Sequence, residues 1–310
     1  MTTPPPAPTS SPSPPSRWPA PYRAAIAFTM DNLGEAQAVH NNAWPHPPGT
    51  HPSVTDQLPR MLGLLARHGV RATYFAEAWS LGAYPGVVRD LARRGHEVGW
   101  HGWQHEVWSR FAAAGQDDEE GAAAERESFE RSWAAAERAG VEYRGGGFRP
   151  PGGRVNERTW GLLRAFGAGY VSPAVARGTG AGSGEVAERG VGAWIGREGL
   201  VVLPFEWKTV DAFWYMEKFA ELRREEGERE EVLGPTEFRV WLMGRIKEAV
   251  EKGEFLSVLF HPFLQTSEER LAVVEEVLRK ISEDGRIWVA PCKEIAQWVR
   301  RNPELFTSGL

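Results

Sequence analysis

From residue 23 onward, short apolar runs and amphipathic stretches take turns along the chain, and this rhythm limits the possible folds more than any other feature. RAAIAFT (23–29), RATYFAE (71–77), HEVGWH (96–101) and EFLSVLFHP (254–262) read as strands. Residues 54–68, with Leu58, Met61, Leu62 and Leu65 on one face, read as a helix stopped by Gly69, and 84–95 as another stopped by Gly95. Helices are also expected over 119–139, 156–166, 236–252, 267–281 and 293–301, with strands in 143–153, 169–174, 199–207 and 286–291. Strands alternating with helices imply parallel strands joined by crossovers. About seven or eight such units favour a closed βα barrel over an open sheet. The charged stretch 217–231 breaks the rhythm and reads as a solvated helix, with a lid as the alternative; Gly-rich 178–184 reads as a loop.

Composition removes several classes of function. The 310 residues carry 36 basic and 41 acidic side chains, a net charge of −5, so no basic surface for nucleic acid is expected. The lone cysteine, Cys292, rules out an intrachain disulfide and reads as a structural thiol. Residues 1–21 are rich in Pro and Ser and lack the apolar run of a secretory signal, so they read as a disordered tail before a single domain over 22–310. Without an apolar stretch long enough to span a membrane, a soluble, cytoplasmic protein is expected.

In a βα barrel the active site lies where strands end. The first strand runs into Asp31 and Asn32, and the third into His101 and, four residues on, His105. A later strand gives Arg149-Pro150-Pro151-Gly152, another Glu206-Trp207 with Asp211 beyond, and the run FLSVLF delivers His261. Singly each is weak. Two imidazoles four apart on a helical turn suit a metal, yet with 8 histidines such a pair arises by chance ~0.2 times in a chain of this size. Asp31 and Asn32 can cap a turn, and Arg149 can be a surface residue. His261 ends a buried run before a proline, where a polar side chain needs a partner; a satisfied core histidine is the alternative. His40, His46 and His51 read as loop or solvated side chains, and His68 and His96 as structural.

The order of these motifs resembles that of the NodB-type polysaccharide deacetylases, which carry Thr-Phe-Asp-Asp, His-x-x-x-His, Arg-Pro-Pro-Tyr and Trp/Asp motifs and a terminal strand ending in His. The resemblance spans roughly residues 22–300, and the stretch from 259 to 298 looks most like the branch of allantoinase-like and cyclic-imide-like hydrolases. It implies a distorted (β/α)7-type barrel. It implies that Asp31 is the general base, Arg149 its tether, and His261 the general acid oriented by Asp211. Asn32, His101 and His105 would hold a divalent metal, zinc first, with cobalt, manganese or nickel as alternatives. Gly152 would offer its N–H to the oxyanion, and Trp207 belongs to the motif that borders the substrate. The chain departs from the pattern at Met30 for Phe, Gly152 for Tyr and Asn32 for a ligand Asp.

The expected activity is hydrolysis of a non-peptide C–N bond, removing an N-acyl group from an acetamido sugar or a small N-acylated compound. The alternatives are ring opening of a cyclic ureide or imide, and a binding protein on the same fold that has lost turnover. The expected partner is a small molecule or saccharide, with neither nucleic acid nor membrane; association into a homo-oligomer is left open.

Overall fold

The structure, a computed structural model, describes residues 16–108, 111, 119–175 and 192–306. Its strands are β1 (Ala24–Asp31), β2 (Thr73–Ala76), β3 (Glu97–Trp100), β4 (Gly147–Phe148), β5 (Tyr170–Val171), β6 (Trp194–Ile195), β7 (Val201–Val202), β8 (Phe255–Phe260) and β9 (Ile287–Val289). They form one sheet in the order β6-β7-β5-β4-β3-β2-β1-β8, with β9 added on β1.

β1 is the axis of this sheet. It pairs in parallel with β2, β8 and β9, and all eight of its residues are buried. A strand covered on both faces cannot alternate apolar with polar, which is why AAIAFTMD is almost wholly apolar until its last residue. Thr29 lies opposite both Thr73 of β2 and Leu259 of β8, so the three strands end at one level. Asp31 closes β1, while His101, Arg149 and His261 come immediately after β3, β4 and β8.

The sheet curls into a half-barrel with helices around it. Its two ends approach through an isolated parallel bridge between Val210, beyond β7, and Leu259 of β8. The strands are parallel except for β6 and β7, which form an antiparallel pair across the turn Arg197–Gly199. That pair departs from the all-parallel expectation, and two-residue strands carry too little pattern to be read from sequence.

Helix boundaries follow local chemistry. Leu58–Arg67 has Pro59 in its first turn, where the missing N–H is harmless, and buries Leu58, Met61, Leu62 and Leu65. Its lead-in, Ser53–Gln57, winds as a π-helix rather than extending the α-helix to residue 54. Pro235–Lys252 starts on proline and stops at Gly253, whose left-handed φ of 71° lets its N–H cap the Ala249 carbonyl and turns the chain into β8. Three short helices, Ala36–His40, Ala78–Ala83 and Asp211–Tyr215, were not expected from the pattern.

The stretch 217–231 is not one solvated helix. Only Ala220–Glu225 is α-helical, and Arg223 is wholly buried, donating to the carbonyls of Phe213 (2.5 Å), Met216 (2.9 Å) and Glu230 (2.6 Å). An arginine that gathers three carbonyls folds the chain back on itself, whereas charge spacing alone suggested a straight exposed rod. At the amino end, residues 1–15 of the expected tail and the Gly-rich loop at 178–184 lie outside the described residues. Residues 16–21 pack on the body instead of joining a tail: Trp18 is 3% exposed, against Trp288 and Phe306, with its indole N–H on the Gly253 carbonyl. Among the described residues no helix is long and apolar enough to cross a membrane.

Candidate active site

Arg149 organises the floor of the site. It is wholly buried, and its guanidinium donates to Asp31 Oδ1 and Thr29 Oγ1 (both 2.9 Å), to Ser172 Oγ (3.0 and 3.3 Å) and to Ser257 Oγ (2.9 Å). Those contacts use all five donors of the fork. Phe75 and Phe205 lie over its faces at 4.3 and 4.9 Å, so neither charge nor plane can turn. Asp31 is thereby held by one oxygen and keeps Oδ2 for other partners. That oxygen lies 3.8 Å from His101 Nε2.

The imidazoles are fixed by their far nitrogens. His101 Nδ1 is 2.8 Å from the Arg149 carbonyl, which can only accept, so Nδ1 carries the proton and Nε2 is a bare lone pair. Burial lowers the His101 pKa to about 3, with the Arg149 and His261 charges adding to the fall, and the ring is neutral at neutral pH. Burial likewise pushes His105 well down, with His101 and Lys218 adding to the shift. The rings meet edge to face with centroids 4.9 Å apart. No helix brings them together, contrary to the reading of their spacing. The chain turns through left-handed Gly102 (φ 78°) and His105 (φ 62°), and Glu106 clamps the turn by accepting from the Trp103 and Gln104 N–H groups. A Cβ on Gly102 would come within 2.6 Å of Glu106. Gln37, on Ala36–His40, places its side-chain amide 2.9 Å from His105 Nδ1.

Asn32 also has a left-handed backbone, φ 64°. Its Nδ2 donates to Glu77 Oε1 at 2.7 Å, and Tyr74 OH donates to its carbonyl at 2.9 Å. Glu77 is 1% exposed, and burial raises its pKa to about 7. Across the cleft, His261 Nδ1 donates to Asp211 Oδ1 at 2.6 Å, leaving Nε2 on the opposite edge of the ring. Asp211 is wholly buried and also accepts from the His261 backbone N–H (2.8 Å) and from Gln265 Nε2 (2.6 Å).

Asp31, Asn32, His101, His105, Gly152 and His261 border one cavity of about 260 Å³. Trp207 and Phe219 wall it with Phe205, the Trp207 ring 5.3 Å from Phe205 and 5.4 Å from Phe219. Lys218 also borders it, its ammonium 5.1 Å from the Phe219 ring, and burial lowers its pKa although the residue as a whole is exposed. Gly152 is left-handed (φ 76°) with open space where a Cβ would stand, while Gly153 has none, since a Cβ there would lie 2.5 Å from Ala174.

All nine residues singled out from the sequence thus lie at this cleft or, for Arg149 and Asp211, directly behind it. The other histidines do not join them. His46 meets the Trp44 ring edge-on and His51 lies tilted against it, and His51 bonds Ser53; His40 is exposed, and His96 accepts from the Ala72 N–H. Sequence reasoning missed Glu77, Gln37, Lys218 and Gln265.

Two imidazole nitrogens and an amide oxygen make a donor set suited to a divalent cation such as zinc. Among the described residues no three His, Cys, Asp or Glu side chains form a metal-binding group, so the candidate set depends on Asn32 as its third member.

Residues 45–171 match the family model described as Polysaccharide deacetylase. Over that segment the chain is similar to polysaccharide deacetylases. The matched segment includes His101, His105, Arg149 and Gly152, while Asp31, Asn32, Asp211 and His261 lie outside it. A Mycobacterium smegmatis structure described as a polysaccharide deacetylase is 26% identical, covering 94% of this chain and 95% of that one, with a TM-score of 0.71. One from Pseudomonas aeruginosa, described likewise, is 20% identical over 94% and 96%, with a TM-score of 0.69. PuuE allantoinase shares the fold to the same TM-score, 0.69, at 18% identity over 94% and 96%. The peptidoglycan-N-acetylglucosamine deacetylase PgdA of Listeria monocytogenes is 42% identical over 57 residues, 18% of this chain and 12% of that protein's length. The chain thus shares the (β/α)7-barrel fold of these neighbours.

Proposed function

We propose that residues 22–310 form one catalytic unit, a metal-dependent hydrolase of non-peptide C–N bonds that removes an N-acyl group from an acetamido sugar or a small N-acylated compound. The observation that carries this reading is the approach of Asp31 Oδ2 to within 3.8 Å of His101 Nε2 at the floor of a cavity that His261 faces. A carboxylate, a bare imidazole lone pair and a second, carboxylate-backed imidazole are what attack on an amide and departure of its nitrogen require.

Asp31 takes the proton of the attacking water through Oδ2, since Oδ1 is held by Arg149. His101, His105 and Asn32 would hold the cation, which when bound polarises the substrate carbonyl and makes water easier to deprotonate. The Gly152 N–H donates to the oxyanion, a contribution of roughly 3–4 kcal/mol for a well-placed donor. His261, oriented by Asp211, delivers a proton to the leaving nitrogen, because an amine anion is too basic to depart alone. Trp207 and Phe219 offer apolar faces to the acyl-bearing molecule. A cavity of about 260 Å³ fits one small ring or acyl compound rather than a long polymer segment.

The likeness to an allantoinase at 18% identity is one of fold and does not select ring opening. The deciding experiment measures acetate release from N-acetylglucosamine and its short oligomers beside ring opening of a panel of cyclic ureides and imides. We expect acetate release, lost in Asp31→Asn; ring opening without acetate release would replace this reading with the cyclic one, and inertness on all would leave a binding protein.

A further inference from the structure

Asn32 stands where the family motif has a carboxylate, so a cation held by His101, His105 and Asn32 would meet one negative charge fewer at the first residue it touches. The chain places a carboxylate directly behind that amide. Glu77, the first residue after β2, is 1% exposed. Its Oε1 accepts from Asn32 Nδ2 at 2.7 Å and its Oε2 from the Leu33 N–H at 2.9 Å. Two more groups tighten the same corner: Tyr74 OH donates to the Asn32 carbonyl at 2.9 Å, and Ser80 Oγ donates to the Leu33 carbonyl at 2.5 Å. The left-handed turn at Asn32 is therefore held from β2 and from the helix just beyond it. Because the amide nitrogen faces Glu77, the amide oxygen must face the other way. Among the described residues Oδ1 has no hydrogen-bond partner, and Asn32 borders the cavity.

We propose that Glu77 is a positioning residue for the candidate metal site: it turns the Asn32 amide so that Oδ1 faces the cleft, and it backs that amide with a buried carboxyl group. This rests on the metal-dependent reading above. A buried carboxylate polarises the amide it accepts from, making Oδ1 a stronger donor to a cation than a solvated asparagine would be.

The test titrates Co2+ by its visible absorption, with elemental analysis of zinc-loaded samples, in the full chain, in Glu77→Gln and in the double variant Asn32→Asp/Glu77→Gln. Circular dichroism and melting curves check folding. Glu77→Gln is expected to weaken cobalt binding about 10- to 100-fold. The double variant reverses the hydrogen bond, with the glutamine amide donating to the new carboxylate, and is expected to restore binding close to the starting value. Loss of a merely structural contact would not be rescued by a change at position 32. Unaltered binding in Glu77→Gln, or a double variant that is no tighter than Glu77→Gln or does not fold, overturns the proposal while leaving the hydrolase reading in place. Should Glu77→Gln alone not fold, a folded double variant that binds cobalt supports the proposal. A starting protein that takes up neither cobalt nor zinc overturns both.

Discussion

Arg149 and Arg223 are both wholly buried, yet they sit in regions built on opposite plans. Arg149 lies under the cleft and directs its donors to side chains: Asp31 and Thr29 of β1, Ser172 just after β5, and Ser257 of β8. Arg223 lies in the strap beside the cleft and directs its donors to carbonyls of its own neighbourhood, residues 213, 216 and 230. The first, clamped between two aromatic rings, fixes a carboxylate. The second fixes only a loop, which then presents Lys218 and Phe219 to the cavity. Burial of a charge therefore does not by itself mark a site. In the proposed mechanism the arginine answered by Asp31 supports the general base, whereas the one answered by nearby carbonyls holds chain geometry.

The sharpest way to break this contrast is Arg149→Met, which should abolish turnover and destabilise the chain by about 3–5 kcal/mol by leaving Asp31 buried and unpaired. Denaturant unfolding beside the acetate assay reads both effects. If turnover survived, the floor would be scaffold like the strap. Asp31→Asn should lower kcat by roughly 10²–10⁴-fold with metal content nearly unchanged, and should also lower the melting temperature, because it leaves the buried Arg149 without its carboxylate partner. Arg223→Met is expected to destabilise by about 1–3 kcal/mol through unanswered carbonyls, while kcat at a temperature where the protein stays folded falls less than tenfold. A kcat collapse there, with KM unmoved, would place the strap in the chemistry. The smallest effect lies far from both regions. Arg286 and Lys280 hold the Asp284 carboxyl below its usual pKa of 3.8, so this group adds stability at higher pH that is lost as pH falls below that value. Asp284→Asn should flatten the acid limb of a melting-temperature profile below about pH 4 and leave the neutral plateau and turnover as they were.

How far the sequence reveals this site depends on which residues are local. The polar residue that ends each long apolar run is visible without any tertiary knowledge, and that criterion finds Asp31, His101, Arg149 and His261. Applied to β2 and β5, it would have found Glu77 and Ser172, each the next residue after its strand. Gln37, Lys218 and Gln265 are beyond such reading, since short helices and turns bring them to the cleft by tertiary packing. The His101–His105 spacing predicted proximity for the wrong reason: a helical turn was expected, and positive φ at Gly102 and His105 bends the chain instead. The antiparallel pair of β6 and β7 was likewise out of reach, since two residues in each strand leave no period to detect.

The other end of the barrel holds a natural reporter. Cys292, the sole thiol, is fully buried at the start of Cys292–Arg301, its backbone N–H on Thr73 Oγ1, and burial pushes the thiol up to about 12. A sulfur so shielded and so seldom deprotonated is inert to alkylating and disulfide reagents until the wall around it parts. The rate at which the native chain takes up a single thiol label therefore clocks the opening of the sheet's base, a timer that needs no engineered probe.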